Sequence, residues 1–343
     1  MRVYFSEKHK LRDAKTELSG GQLVSPFEAP FRAEWILEAV REAGHSEVLP
    51  PVEFDLTTAK QIHDHDYLEF MAGIWERWVA DGYKGEAIPT SFPVRRMQQN
   101  RPPTDVEGAL GYYAMAAETA ISEGTWEAAI SSMQVAMSGA DYMVQTGKPA
   151  FALCRPPGHH CSIDQYGGYC FINNAGTAAQ HCLNNGMKKV AILDVDFHHG
   201  NGTQDIFYHR DDVMFISIHG DPMDAFPHFL GFADEEGEGA GMGCNINYPL
   251  SRGTLYTEWS AALKHALAKI EAYGAETLIV SLGVDTFEKD PISFFKLTSD
   301  DFTRYGELIG AAKIPTLFCM EGGYGVKEIG LNVANVLCGF ENG

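Results

Sequence analysis

Side chains that could hold a metal ion occur at two points of the sequence. Asp196 and His198 are separated by one residue, so an extended backbone would turn both toward the same side. Asp285 would complete a set of two carboxylates and one imidazole. Three protein ligands with an open fourth position are typical of a catalytic metal site. An Asp-x-His spacing alone is weak evidence, because surface pairs of this kind are common.

Two further motifs carry side chains that could move protons or stabilise charge. His159 and His160 follow a Pro-Pro-Gly turn that restricts the backbone. Tyr324 lies in a Gly-Gly-Tyr-Gly sequence, where its hydroxyl could reach a developing oxyanion, although plain glycine-rich loops also contain tyrosine. His199, the neighbour of His198, is predicted to be structural.

The elements that must position these residues alternate between apolar runs and helical patterns. Such alternation predicts βα units around a parallel sheet, whose ligands bind beyond the carboxyl ends of the strands. The motifs follow four of the predicted strands, so they should meet at one edge of the sheet. The predicted strands are 2–5, 150–154, 189–195, 213–218, 276–282 and 316–320. The predicted helices are 30–43, 67–80, 107–145, 175–185, 257–273 and 300–312.

Composition indicates an ordinary globular protein: 343 residues, 45% hydrophobic and 21% charged. Without a low-complexity linker or an internal repeat, we expect one domain over residues 1–343. There is no signal-peptide pattern or apolar run of membrane-spanning length, which predicts a protein without membrane partners. Seven scattered cysteines without a C-x-x-C spacing argue against a disulfide framework or a thiolate zinc site, and favour the cytoplasm.

Charge narrows the class of partner. The formal net charge of −20 argues against nucleic acid and suits a small cationic molecule, although it could equally serve solubility alone. Two predicted loops are long, 82–103 and 221–243, and long loops in compact domains are usually functional or disordered. The first is basic, with Lys84, Arg95, Arg96 and Arg101.

Taken together, segments 155–160, 167–174, 194–202, 283–285 and 321–324 resemble the histone deacetylase family, and within it the bacterial acetylpolyamine amidohydrolases. The resemblance covers the whole chain. It implies an arginase–deacetylase fold, an α/β domain with an open parallel eight-stranded sheet flanked by helices. It also implies a zinc-dependent hydrolase that removes acetyl groups from acetylated polyamines or diamines, such as acetylputrescine, acetylcadaverine or acetylspermidine.

Three alternatives are weighed against that function. A protein acetyl-lysine deacetylase would use the same chemistry. A non-catalytic acetyl-amine binder would not need both a complete ligand set and Tyr324. The related arginases bind two manganese ions through further aspartates, and here Gly200 and Gly283 stand at those positions, so arginase chemistry is not expected.

The resemblance also implies residue roles. Zinc would be held by Asp196, His198 and Asp285, with iron(II) or cobalt as possible substitutes. His160, held by Asn201, would be the neutral general base. His159, held by Asp194, would be positively charged and would assist electrostatically. The alternative exchanges the roles of the two histidines. Many family members carry Asp in place of Asn201. Tyr324 would stabilise the oxyanion.

Further roles concern a second ion, the substrate and a partner. Potassium would be bound by Asp194, Ser217 and the backbone carbonyls of Asp196, His198 and Ile218. Gly168, Tyr169 and Phe226 would form walls of the channel, and Glu17, Glu107 and Glu118 would pair with the ammonium groups of the substrate. The 82–103 loop would mediate homodimerisation and narrow the channel.

Overall fold

A single sheet of eight parallel strands organises the chain, as expected. The computed structural model describes every residue, Met1–Gly343. The strand order is β4-β1-β5-β10-β9-β6-β7-β8, and a separate two-stranded hairpin is formed by β2 and β3. The strands are β1 Arg2–Tyr4, β2 Glu17–Ser19, β3 Gln22–Val24, β4 Val48–Leu49, β5 Ala150–Ala152, β6 Val190–Asp194, β7 Val213–Gly220, β8 Asn245–Leu250, β9 Thr277–Leu282 and β10 Thr316–Met320.

Helices cover the sheet and explain why its central strands are largely apolar. Every residue of β5, β6, β7, β9 and β10 is buried, as expected for parallel strands covered on both faces. Helices α4 and α5 pack on each other and on central strands, whereas α1, α9, α8 and α7 pack side by side in that order. The helices are α1 Phe31–Glu42, α2 His65–Ala80, α3 Val106–Tyr112, α4 Thr125–Thr146, α5 Asn174–Asn184, α6 Asn201–Phe207, α7 Tyr256–Tyr273, α8 Ser299–Ala311 and α9 Glu328–Asn342.

Several elements differ from the sequence-based expectation. The predicted helix 107–145 is two helices, because the chain leaves α3 after Tyr112 and re-enters α4 through Gly124 at φ 76°. The segment between them pairs Ala114 with Tyr166 and Ile121 with Ala87 in isolated bridges. Strand β8 was not predicted, since it is an edge strand with a proline and alternating polar residues. Strand β4, helices α6 and α9 and the β2–β3 hairpin were also not predicted.

The β2–β3 hairpin matters because it reaches the entrance of the site described below. Its turn is Gly20-Gly21, with φ of 56° and 79°. A two-residue turn with positive φ at both central residues matches the twist of antiparallel strands and favours glycine. The register pairs Glu17 with Val24, which fixes the position of the Glu17 carboxylate. None of the helices combines the length and the apolar character needed to span a membrane.

Candidate active site

The predicted site residues gather at the carboxyl ends of four adjacent strands. Strands β5, β10, β9 and β6 are consecutive in the sheet. His159 and His160 follow β5, Tyr324 follows β10 and Asp285 follows β9. Asp194 ends β6, and Asp196 and His198 come directly after it. Because all four strands are parallel, their carboxyl ends lie at one edge of the sheet.

Asp196, His198 and Asp285 are buried and face one another. One ligand atom from each lies within 4.8 Å of the others. His198 Nδ1 is 3.1 Å from Asp285 Oδ2 and 3.3 Å from Asp196 Oδ1. Backbone amides orient both carboxylates: Phe197 N donates to Asp285 Oδ1 at 2.7 Å, and Gly322 N donates to Asp196 Oδ2 at 2.8 Å.

Glycines around these ligands leave no room for a second set of carboxylates. A Cβ on Gly283 would lie 2.1 Å from Asp196 Oδ2, and a Cβ on Gly200 would lie 2.2 Å from Asp194 Oδ2. A Cβ on Gly322 would lie 2.4 Å from Asp285 Oδ2. Real Cβ atoms do not approach other atoms so closely, so the two positions that would carry extra aspartates in an arginase must be glycine here. The donor set is complete for one ion.

The two histidines have different partners, as the sequence predicted. His159 Nδ1 donates to Asp194 Oδ2 at 2.9 Å, whereas His160 Nδ1 donates to Asn201 Oδ1 at 2.7 Å. Their rings are 4.1 Å apart, and the ring of His160 lies 6.0 Å from that of His198. Since Nδ1 of His160 carries the donated proton, its Nε2 retains a lone pair.

These partners shift the two pKa values in opposite directions. Burial opposes the charged form of His159, but Asp194 and Asp196 outweigh it and raise the pKa of His159 to about 10. Burial, with the positive charge of the neighbouring His159, lowers the pKa of His160 well below its usual value. The surroundings therefore favour an imidazolium at His159 and a neutral imidazole at His160.

Tyr324 is held by contacts that the sequence did not reveal. Its backbone N donates to Asp290 Oδ2 at 2.8 Å, and the guanidinium carbon of Arg32 lies 4.6 Å from its ring centre. The ring of Tyr169 packs against it edge to face at 5.6 Å. Burial raises the pKa of Tyr324 well above its usual value, despite the opposing charge of Arg32. The hydroxyl therefore stays protonated and able to donate.

A cavity of about 460 Å³ leads to His160, His198 and Tyr324. Its wall contains five of the six predicted substrate-contacting residues. Those five are Glu17, Glu118, Gly168, Tyr169 and Phe226. Glu118 Oε1 accepts hydrogen bonds from Gly168 N and Thr119 Oγ1, both at 2.9 Å. Glu17 accepts one from the Tyr169 hydroxyl at 2.8 Å and one from Phe27 N at 3.1 Å.

Glu107 is not part of this cavity. It lies exposed in the first turn of α3, where Asp105 caps the helix by accepting from Glu107 N at 3.0 Å. A glutamate in a helical pattern gives no sign of the direction it faces, and a substrate contact by Glu107 stays a prediction. Conversely, the exposed Asp224 lines the cavity and was not predicted. It stands at the rim, in the acidic 221–243 loop.

The side chains proposed for potassium are all buried near the metal ligands. Asp194 Oδ1 accepts from Asp196 N at 3.1 Å, and Asp194 pairs through its other oxygen with His159. Ser217 Oγ lies 2.8 Å from His219 Nδ1, a partner that was not predicted. His199 contacts Gln204 Oε1 at 3.0 Å and does not face the metal ligands, in keeping with a structural role.

The sequence analysis did not identify Arg32, Asp290 and Glu321, because their contacts with the site exist only in the folded chain. Arg32 reads as a surface residue of an amphipathic helix, but it is 2% exposed. Glu321 Oε2 accepts from Gly158 N at 2.7 Å and from His159 N at 3.2 Å, which ties the histidine loop to the end of β10. Only the position of Glu321, directly before Gly322-Gly323-Tyr324, could have indicated from sequence that it lies near the site.

Comparison with known proteins accounts for this geometry. The histone deacetylase domain matches residues 26–340. The chain belongs to the histone deacetylase family. An acetylpolyamine amidohydrolase of Mycoplana ramosa is 65% identical over 339 residues, 99% of each chain. Acetylpolyamine amidohydrolase 1 of Pseudomonas aeruginosa is 52% identical over 338 residues, 98% of each chain.

A solved structure shows that the whole fold is shared. The crystal structure of an acetylpolyamine aminohydrolase from Burkholderia pseudomallei superposes with a TM-score of 0.93 at 36% identity, covering 99% of this chain and 98% of that one. The predicted fold class and family are thus confirmed, and the chain is an enzyme of a hydrolase family. The family implies a metal cofactor, typically zinc, and two carboxylates, one imidazole and an open face toward the cavity fit such an ion.

Removing one ligand should release the metal without unfolding the sheet. We expect wild-type protein to retain about one zinc ion per chain after dialysis, and Asp285→Ala to retain little, because two ligands chelate weakly. The measurement is metal content by mass spectrometry, with circular dichroism to confirm folding. His181→Ala, at a buried histidine that contacts Asp141 far from the site, is the matched control and should keep its ion. Full zinc content in Asp285→Ala would contradict the assignment.

Proposed function

We propose that this enzyme is a zinc-dependent deacetylase of acetylated polyamines or diamines, which releases acetate and the free amine. The supporting observation is that His198 of the buried ligand set, His160 of the histidine pair and Tyr324 all line one cavity that has carboxylates in its wall. The names of the relatives agree with this substrate class. Whole-chain identity to them also favours it over the protein acetyl-lysine deacetylase, which remains the alternative.

Asp196, His198 and Asp285 would hold the zinc ion, whose chemistry there would be Lewis-acid polarisation of the acetyl carbonyl and a lowered pKa of a water molecule. His160 is the general base, because its neutral Nε2 is available while Asn201 holds Nδ1. After accepting the water's proton, His160 delivers it to the leaving amine. His159 stays positively charged beside Asp194 and stabilises negative charge that develops in the transition state.

Tyr324 donates its hydroxyl proton in a hydrogen bond to the oxyanion. Its place in the cavity wall beside His198 and its raised pKa both suit this role. A donor that is already oriented costs no reorganisation during the reaction, which is why one such group is worth about 2.7–4 kcal/mol.

Recognition of the substrate's cation falls mainly to Glu118. Both hydrogen bonds accepted by its side chain go to Oε1, so Oε2 is free to meet an ammonium. Both oxygens of Glu17 are already occupied, and its main task is to orient Tyr169. Asp224 at the rim adds negative charge that attracts a cation. Phe226 lies 5.1 Å from the ring of His160 and offers an apolar wall for methylenes.

The remaining predictions on ions and location are part of the same proposal. Potassium would be held by Asp194, Ser217 and the carbonyls of Asp196, His198 and Ile218, where it would stabilise the segment that carries the zinc ligands. The cytoplasmic location is supported by seven free cysteines, five of them buried.

The catalytic roles predict distinct losses. Tyr324→Phe should lower kcat by about 10²–10³, because one oxyanion donor is removed, with the metal still bound. His160→Ala should lower kcat at least as much, since it removes the proposed general base. Steady-state acetate release and zinc content measure both. His209→Ala, at a histidine remote from the cavity, is the control for histidine loss. A His160→Ala enzyme with most of its kcat would favour the exchanged assignment of the two histidines.

The substrate proposal is tested by comparing KM for a charged substrate with KM for a neutral one. Glu118→Gln should raise KM for N-acetylputrescine about 10-fold or more, because a hydrogen bond to a charged group is lost. KM for N-butylacetamide, of similar length but uncharged, should change little. Glu123→Gln, at an exposed neighbour, is the matched control. If wild-type enzyme cleaves acetyl-lysine peptides faster than acetylputrescine, acetylcadaverine and acetylspermidine, the polyamine assignment is wrong.

The 82–103 loop supports a homodimer. It presents Val94 and Met97 at 53% and 61% exposure beside Arg95 and Arg96, on a protein of net charge −20. A second acidic copy therefore offers charge complementarity as well as apolar contact.

We expect wild-type protein to sediment as a dimer at micromolar concentration, and Arg95→Glu/Arg96→Glu to sediment as a monomer. Reversal of two exposed α7 lysines, Lys264→Glu/Lys269→Glu, makes the same charge change and should leave the dimer intact. Wild-type protein that is monomeric under these conditions would rule the dimer out.

A further inference from the structure

A buried carboxylate outside the cavity links the segments that carry the catalytic side chains. Glu28, just before α1, is 2% exposed and is surrounded by three arginines. Arg155 donates through Nε to Glu28 Oε1 at 2.7 Å and through Nη2 to Oε2 at 3.1 Å. Arg32 donates through Nη1 to Oε1 at 3.1 Å. Arg12 is farther away, with Nε at 3.7 Å from Oε2.

Arg32 extends this contact to Tyr324. Its Nε donates to the carbonyl oxygen of Gly323 at 2.5 Å, and its Nη2 donates to that of Glu321 at 2.7 Å. The same guanidinium lies 4.6 Å from the ring centre of Tyr324. Because a guanidinium is planar with its donors in a fixed fork, the bond to Glu28 sets the direction of the other two.

Arg155 keeps the carboxylate itself in place. Besides its two bonds to Glu28, it donates through Nη1 to the carbonyl oxygens of His9 at 2.6 Å and Arg12 at 3.0 Å. Although burial opposes ionisation, the guanidiniums of Arg155, Arg32 and Arg12 hold the pKa of Glu28 below its usual value. Glu28 is therefore an ionised, immobile acceptor between two arginines.

We propose that Glu28 is a positioning residue for Tyr324, which it places through Arg32. The carboxylate fixes the plane of the Arg32 guanidinium, and that plane fixes both the carbonyls of Glu321 and Gly323 and the surface on which the tyrosine ring rests. This inference rests on the proposed deacetylase function, in which the hydroxyl of Tyr324 must meet the oxyanion.

The effect should appear in kcat rather than in KM. The oxyanion exists only in the transition state, so a displaced Tyr324 hydroxyl loses stabilisation there and not in the bound substrate. Misplacement by about 1 Å can cost about 10²-fold in rate. Glu28 lines no part of the cavity, so substrate contacts remain.

The decisive experiment is a double-mutant cycle with Glu28→Gln and Tyr324→Phe. In the wild-type background, Glu28→Gln should lower kcat about 10- to 100-fold, with KM within about threefold and the zinc content unchanged. In the Tyr324→Phe background, the same change should lower kcat by less than about threefold, because the group it positions is gone. A loss of equal size in both backgrounds would overturn the proposal, since Glu28 would then act through another group, such as the histidine loop after Arg155.

Two further variants keep the test decisive if Glu28→Gln folds poorly. Glu28→Asp keeps the charge, but its carboxylate recedes by one methylene and cannot reach both arginines, so kcat should still fall at least about fivefold. A folded, zinc-loaded Glu28→Asp enzyme with wild-type kcat would refute the role. Arg12→Gln removes a guanidinium that faces Glu28 but contacts neither Tyr324 nor the carbonyls before it; its kcat should stay within about threefold.

If Arg12→Gln lost as much kcat as Glu28→Gln, charge imbalance rather than positioning would be the cause, and the proposal would fail. The wild-type enzyme is assayed first on acetylated amines. Absence of acetate release by wild-type protein would refute the proposed function, whereas an active wild type with an unaffected Glu28→Gln variant would refute only the role of Glu28.

Discussion

The site depends on the burial of two carboxylates, Asp196 and Asp285, against a single imidazole at the end of a parallel sheet. Removing two like charges from water is costly unless a cation and directional hydrogen bonds compensate. The backbone amides of Phe197, His198 and Gly322 supply those bonds. They point at the carboxylates only because three adjacent strands end at the same level, so the sheet register specifies the ligand geometry.

Close packing around these carboxylates explains the glycine-rich sequence of the strand exits. A side chain at Gly283 or Gly322 would occupy the positions of Asp196 and Asp285 oxygens. Gly168 has φ of 52° and a Cβ there would lie 2.2 Å from the His160 ring, so the cavity wall can contact His160 at this position only without a side chain. The glycines thus allow the backbone to lie close to the functional side chains. They also limit the site to one metal ion.

Most of the central sheet, and most of the polar residues gathered at its edge, could be predicted from sequence for physical reasons. Buried parallel strands have mostly apolar runs, and the polar residues that follow them stand out, as do Asp196 after β6 and Asp285 after β9. Short contacts such as Asn201 to His160 followed from family position. Edge strand β8 and hairpin β2–β3 lack that pattern. Arg32, Glu28 and Asp290 could not be found, because the partners that bury them come from distant segments.

Charge changes sign along the path from solvent to the interior. Asp224 and Glu118 are negative at the cavity wall, His159 lies beside the metal ligands with a raised pKa that favours its positive form, and Arg32 with Arg155 and Arg12 lies behind Tyr324. A cationic amine is attracted at the rim, while the oxyanion forms deeper, between positive groups. The two ends of an acetylated diamine have these opposite needs, since one is an ammonium and the other becomes negative in the transition state. A neutral acetamide would satisfy only the inner half of this arrangement, so the charge order itself favours a substrate with an amine at its far end.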